Sequence, residues 1–128
     1  MYERFHQDVE FVGVYIREAH PSDGWWFGGN FATRTMVQRA GAACDVEDPK
    51  SIEERRQVAG RCEATLDYGY PTYVDDVDDE VSKAFAAKPT RLYFLDEEGR
   101  VVYHGGRGPW GFSPRALERA IERHLRVH

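Results

Sequence analysis

The strongest nucleophiles in this sequence are its two cysteines, Cys44 and Cys62. A thiol reacts as its thiolate, which needs an accessible, electropositive setting. Neither cysteine has one. Cys44 lies in the loop GAACDVED, whose carboxylates disfavour the thiolate, so a resolving role is the most expected of it. Cys62 falls on the apolar stripe of a helix and is expected to be a buried, inert thiol. The pair forms no CxxC and no metal-ligand spacing. Glu18 and His20 stand two residues apart at the end of an apolar run, so an extended backbone would aim both side chains to one side. The turn HPSDG also allows His20 simply to cap backbone groups. Arg91 opens an apolar strand and has acids within reach, Glu97 or Glu98, with which to pair. The acidic run DDVDDE lacks the spacing of a calcium loop and reads as the lead-in to a helix, whose dipole favours carboxylates there. GGRGPWG has no following Lys-Ser/Thr and is a chain reversal, not a phosphate loop. WWFGGN suits core packing, or the wall of a groove for an aromatic ligand.

The elements that must position these residues alternate strand and helix. Val9–Ile16 is short, β-branched and apolar at nearly every position, as a strand buried on both faces would be. Residues Tyr2 to Gln7 before it read as the last turns of a helix. From Arg17 to Lys50 the chain is irregular, and a loop of that length in a compact domain points to function. Ser51 and Glu54 have capping-box spacing, and Ile52, Ala59, Cys62 and Leu66 then form one stripe, closed by Gly69 and Pro71. A strand over Pro71–Val74 precedes a second helix through Val81, Ala84 and Phe85. Arg91–Leu95 and Arg100–His104 form a hairpin about DEEG, with Gly99 available for positive φ. Ser113 caps a last helix with Pro114 at its first position. Phe112 and Leu117 have the spacing of a hydrophobic staple, and Leu117, Ala120, Ile121 and Leu125 face the core.

Composition sets the outer bounds. At 128 residues the chain is one domain, residues 1–128, with room for a proper core. A net charge of −5 provides no basic field for nucleic acid or an anionic membrane. The sequence has no apolar run of about 20 residues, so no membrane partner is expected, and the sparse cysteines point to the reducing cytoplasm.

The order strand, long loop, helix, strand, helix, hairpin, helix resembles the second half of a thioredoxin-like fold, with Pro89 at the place of that fold's groove-lining cis proline. Two long segments, YIREAHPSDGW (15–25) and PTRLYFLDEEGRVVYHGGRGPW (89–110), closely resemble the iodothyronine deiodinases and their bacterial relatives. A weaker match, YPTYVDDVDDEVSKAF (70–85), lies between them. The resemblance implies an α/β, three-layer α/β/α sandwich with a peroxiredoxin-type insertion over Ser51–Val74, missing its first strand-helix unit. It places the family's redox nucleophile, selenocysteine or Cys, upstream of Val9, so the expectation is a chain that lacks it.

Residue by residue, the resemblance makes His20 a proton relay or half of a substrate clamp, with Glu18 beside it. Arg91 becomes the other half, holding a carboxylate by its fork of N–H donors, next to Pro89. It implies no metal or organic cofactor. It does imply a thiol reductant of the thioredoxin type and an aromatic or thiol small-molecule substrate. Pro49 and Lys50 stand where vertebrate members tend to have a further histidine. Two readings follow: a thiol- or selenol-dependent oxidoreductase, or a non-catalytic binding module, with homodimerisation covering the unpaired edge of Val9–Ile16.

Overall fold

A computed structural model describes residues 1–17 and 47–128. At the amino end, α1 (Tyr2–Phe5) is a single turn whose Phe5 is buried. Val9 N–H bonds back to Phe5 O at 2.8 Å, which turns the chain into an extended segment ending in β1 (Gly13–Tyr15). Val9 and Phe11 pack on the core, while Val12 and Val14 are 50% and 42% exposed. The expected strand buried on both faces is therefore corrected: β1 is short and alternates, as a strand covered on one face does.

The second helix, α2 (Ile52–Leu66), starts as the sequence predicts. Ser51 is extended, and its Oγ accepts from Glu54 N–H at 3.2 Å. The returning bond of the box lands one residue early, with Glu54 Oε2 accepting from Lys50 N–H at 2.8 Å. The buried face is Arg55, Val58 and Ala59, and Leu66 is exposed. The predicted stripe is thus rotated, because β2 (Thr72–Val74) packs against α2 and draws in the side where Arg55 lies. Beyond the helix Asp67 (φ 40) and Gly69 (φ 75) adopt left-handed backbone, and a Cβ on Gly69 would lie 2.9 Å from the Tyr2 ring. Only glycine fits there.

β2 runs parallel to β1 with Gly13 opposite Thr72, Val14 opposite Tyr73 and Tyr15 opposite Val74. The acidic run that follows is a helix lead-in, as expected, and the capping acid is Asp75. Its two carboxylate oxygens accept from Val81 N–H (3.0 Å) and Ser82 N–H (2.8 Å) at the start of α3 (Glu80–Ala84). Ser82 is the buried residue of α3, and Val81 and Phe85 are exposed, contrary to the apolar pattern.

The hairpin pairs β3 (Tyr93–Leu95) with β4 (Val101–His104), Tyr93 opposite His104 and Phe94 opposite Tyr103, with an irregularity at Phe94/Leu95. Gly99 has φ 79 in its turn, and Asp96 accepts from Glu98 N–H and Arg100 N–H. The last helix, α4 (Pro114–Val127), is capped by Ser113 Oγ, which accepts from Ala116 N–H at 3.3 Å. Leu117 and Ile121 form the core with Phe94 and Phe5, while Leu125 and Phe112 stay exposed, so the staple expected at Phe112 does not bury its ring. Arg4 ties α1 to α4 through Glu118 (2.8 Å) and Glu122 (2.6 Å). Among the described residues the strands form two separate two-stranded sheets, β1–β2 and β3–β4.

Candidate functional site

The hairpin builds the clearest constellation. Gly105 N–H bonds to Leu92 O at 2.8 Å and Gly108 N–H to Thr90 O at 2.9 Å, which extends the β3–β4 pairing back past Arg91. Arg91 is thereby laid beside residues 104 and 105. Its Nε donates to Gly105 O at 2.6 Å, and its Nη2 lies 3.2 Å from His104 Nδ1. The guanidinium carbon sits 5.4 Å from the centre of the Tyr93 ring, a cation–π distance. Tyr93 in turn donates its hydroxyl to Phe85 O and meets the Phe85 ring edge-on at 5.0 Å. Pro89 precedes the strand, and the Lys88–Pro89 bond is cis, as is Gly108–Pro109.

The ion pair of Arg91 with Glu97 or Glu98 that the sequence allows does not form. Arg100 takes the turn's acids instead, Asp96 at 2.8 Å and Glu98 at 2.7 Å. Hydrogen bonding from the Arg100 side chain and backbone holds the Asp96 carboxyl below its ordinary range. Among the described residues the half-buried Arg91 has no carboxylate partner, and its Nη1 makes no hydrogen bond there.

Glu18, His20 and Cys44 lie outside the described residues, as does WWFGGN. The residues bracketing that segment are joined: Arg17, just past β1, donates to Asp48 Oδ2 through Nη2 (2.6 Å) and Nε (3.1 Å), which raises its pKa. Cys62 is half-buried, not fully buried as expected. Nearby, burial pushes the Tyr68 phenol up, and Tyr70 and Cys62 add to the shift. An open cavity of about 480 Å³ borders that part of α2, lined by acids and phenols such as Glu63, Asp67, Tyr68 and Tyr70 and by no cation. No group of metal-binding side chains occurs among the described residues.

Sequence reasoning missed two residues. His104 ends an apolar strand, and its register opposite Tyr93 was the available signal. Arg55 sits in the run EERR, which looks like a solvated helix face. It is 2% exposed and donates through Nη1 to Asp75 O (3.2 Å) and Asp76 O (2.5 Å), where β2 leads into α3.

The described residues form a mixed α/β chain of helices and small sheets, and the family it matches is of the thioredoxin-like class. The chain belongs to the iodothyronine deiodinase family, whose model matches residues 1–125. Over 126 residues it is similar to thyroxine 5-deiodinases: 32% identical to that of Ovis aries, covering 94% of this chain and 37% of the relative. The protein of Homo sapiens is 31% identical over 94% of this chain and 35% of its own. The chain thus spans about a third of the length of the curated relatives it matches.

Proposed function

We propose that this chain is the substrate-holding portion of a thiol- or selenol-dependent reductive dehalogenase. The observation that carries the reading is Arg91: a half-buried guanidinium fixed by Gly105 O, without a carboxylate partner among the described residues. A planar fork in that state suits a substrate carboxylate. His20, with Glu18 beside it, would be the second half of the clamp and the proton relay, and Pro89 would border the groove.

The nucleophile comes from the segment that the family carries upstream of β1. Its selenolate or thiolate takes the halogen from an aromatic carbon, which gains a proton. A second thiol then attacks the selenium or sulfur, releases halide and leaves a disulfide or selenosulfide. A thioredoxin-type thiol reductant restores the resting state. Cys44 and Cys62 are the candidate thiols in this chain, a resolving role falling to Cys44, and no metal or organic cofactor is required. Iodothyronines are the substrates named by the relatives, and other halogenated aromatics fit the same chemistry. The wider frame is a three-layer sandwich with a peroxiredoxin-type insertion over Ser51–Val74 and a further strand and helix ahead of β1. The protein acts in the cytoplasm without nucleic acid or membrane partners. Among the described residues no helix is long and apolar enough to cross a membrane.

The test is halide release from a diiodinated phenol carrying a carboxylate, with dithiothreitol as reductant, using protein that includes the upstream thiol or selenol segment. Release that falls at least tenfold in Arg91→Ala, with the fold intact, supports the assignment. Release that Arg91→Ala leaves unchanged removes Arg91 from the site. No release from any variant favours the second reading, a binding module that pairs with a copy of itself through β1. The observation behind that reading is that, among the described residues, β1 pairs with β2 alone.

A further inference from the structure

The cavity of about 480 Å³ beside α2 plays no part in the chemistry above. Gly60, Glu63, Ala64 and Asp67 line it at i, i+3, i+4 and i+7, which is one face of the helix and its cap. Tyr68 and Tyr70 form its aromatic wall, with ring centres 5.2 Å apart and planes 19° from parallel. Tyr2 and Phe11 hold the Tyr70 ring from behind, at 5.6 and 6.1 Å, while Tyr68 is the outer ring and is 41% exposed. The end of a helix carries partial negative charge and favours cations in its last turn. The last turn of α2 has no basic residue. It has two carboxylates four residues apart, a like-charge pair that weakens a helix. Among the described residues neither Glu63 nor Asp67 has an ion pair. Gly60 departs from local preference a second time, since glycine inside a helix costs stability relative to alanine. A Cβ there would meet nothing within 4 Å, so packing does not demand the glycine; its effect is to leave the cavity open. Charge and helix propensity are thus both set aside on the face that lines the cavity, and such departures from local rules mark functional surfaces.

We propose that this cavity binds a guanidinium group, which lies over the Tyr68 ring and donates to the carboxylates of Glu63 and Asp67. A guanidinium fits better than an ammonium: its flat face stacks on a phenol while the N–H groups of its edge reach neighbouring carboxylates. The ligand supplies the positive charge that the last turn of α2 lacks. The site stands apart from Arg91 and does not depend on the dehalogenase reading.

The test is titration of the full chain at low salt with ethylguanidinium and with ethylurea, its neutral isostere. The amide resonances of Gly60, Glu63, Asp67 and Tyr68 report binding. Ethylguanidinium is expected to shift them to saturation and ethylurea to leave them in place, and added salt should weaken the cation's binding. Glu63→Gln should weaken it about fivefold. The same change should raise the thermal midpoint by about 2 °C, because it removes one member of the like-charge pair. Gly60→Leu keeps both carboxylates, fills the cavity and should abolish binding in a chain at least as stable as wild type. A blocked Gly-Arg-Gly peptide that binds about tenfold more tightly than ethylguanidinium would make the cation an arginine of a protein partner; equal binding would make it a free small molecule. Equal shifts with ethylguanidinium and ethylurea, or binding that survives Gly60→Leu, would overturn the site. A Glu63→Gln chain that melts lower and binds as before would give Glu63 a structural role and remove it from the seat.

Discussion

Arg55 shows what one buried arginine does for this chain. Its Nη1 donates to the carbonyls of Asp75 and Asp76 and lies 2.9 Å from Asp79 Oδ1. The last contact is an ion pair by distance without hydrogen-bond geometry, since Asp79 Oδ1 otherwise lacks a partner. The guanidinium thus pins the turn that carries Asp75, whose carboxylate caps α3. Arg55→Met removes the fork and leaves two carbonyls and an acid in poorly hydrated surroundings. We expect a loss of about 3 kcal/mol, with Arg55→Lys in between because an ammonium is a point donor. Urea unfolding measures it, and a loss under about 1 kcal/mol would show that water replaces the fork. Arg91 was singled out by its motif as a candidate. The burial of Arg55 and the place of His104 beside Arg91 were not legible, because burial and cross-strand neighbours are tertiary facts. A run such as EERR has the same local signature on a surface as in a core.

Among the elements, what was legible is what is local. The caps at Ser51 and Ser113 and the Gly99 turn depend on residues three or four apart, and each forms as the spacing predicts. Exposure of Val12, Val14, Val81 and Phe85 was not legible, because it depends on which neighbours cover each element. The hairpin turn gives a pH-dependent prediction. Asp96 is held below the ordinary carboxylate pKa chiefly by the Arg100 side chain, then by the Arg100 N–H. A carboxylate with a lowered folded pKa contributes stability above its unfolded value of about 4, and that contribution disappears as pH falls through the folded pKa. Wild type is therefore expected to be more stable than Asp96→Asn at neutral pH. The gap should narrow below about pH 4 and close once Asp96 is protonated in the folded chain. Thermal midpoints of the two proteins from neutral to strongly acidic pH decide it, and a gap that stays constant throughout would sever the turn from the titration.

At the scale of the whole molecule, the described residues hold two small sheets, and the core of Phe5, Phe94, Leu117 and Ile121 lies where α1, β3 and α4 meet. The matched relatives are about three times as long, and among the described residues β1 pairs with β2 alone. In the parallel pairing Gly13 N–H bonds to Pro71 O and Tyr15 O accepts from Asp75 N–H, so residues 13 and 15 face β2. By alternation, the N–H and C=O of Val14 point the other way. Among the described residues no strand pairs with that edge, and an open edge beside the exposed Val12, Val14 and Tyr73 is a template for another strand. The 128-residue chain, purified alone, is therefore expected to self-associate with rising concentration. Proline at position 14 deletes the outward N–H without removing a β1–β2 bond, and it is compatible with extended backbone. Val14→Pro should shift the sedimentation profile toward monomer while the helical circular dichroism stays unchanged. Lysine at the same position blocks the exposed face and leaves the edge intact. If Val14→Lys dissociates the chain and Val14→Pro does not, association runs through the apolar face, and the β1 edge is covered some other way.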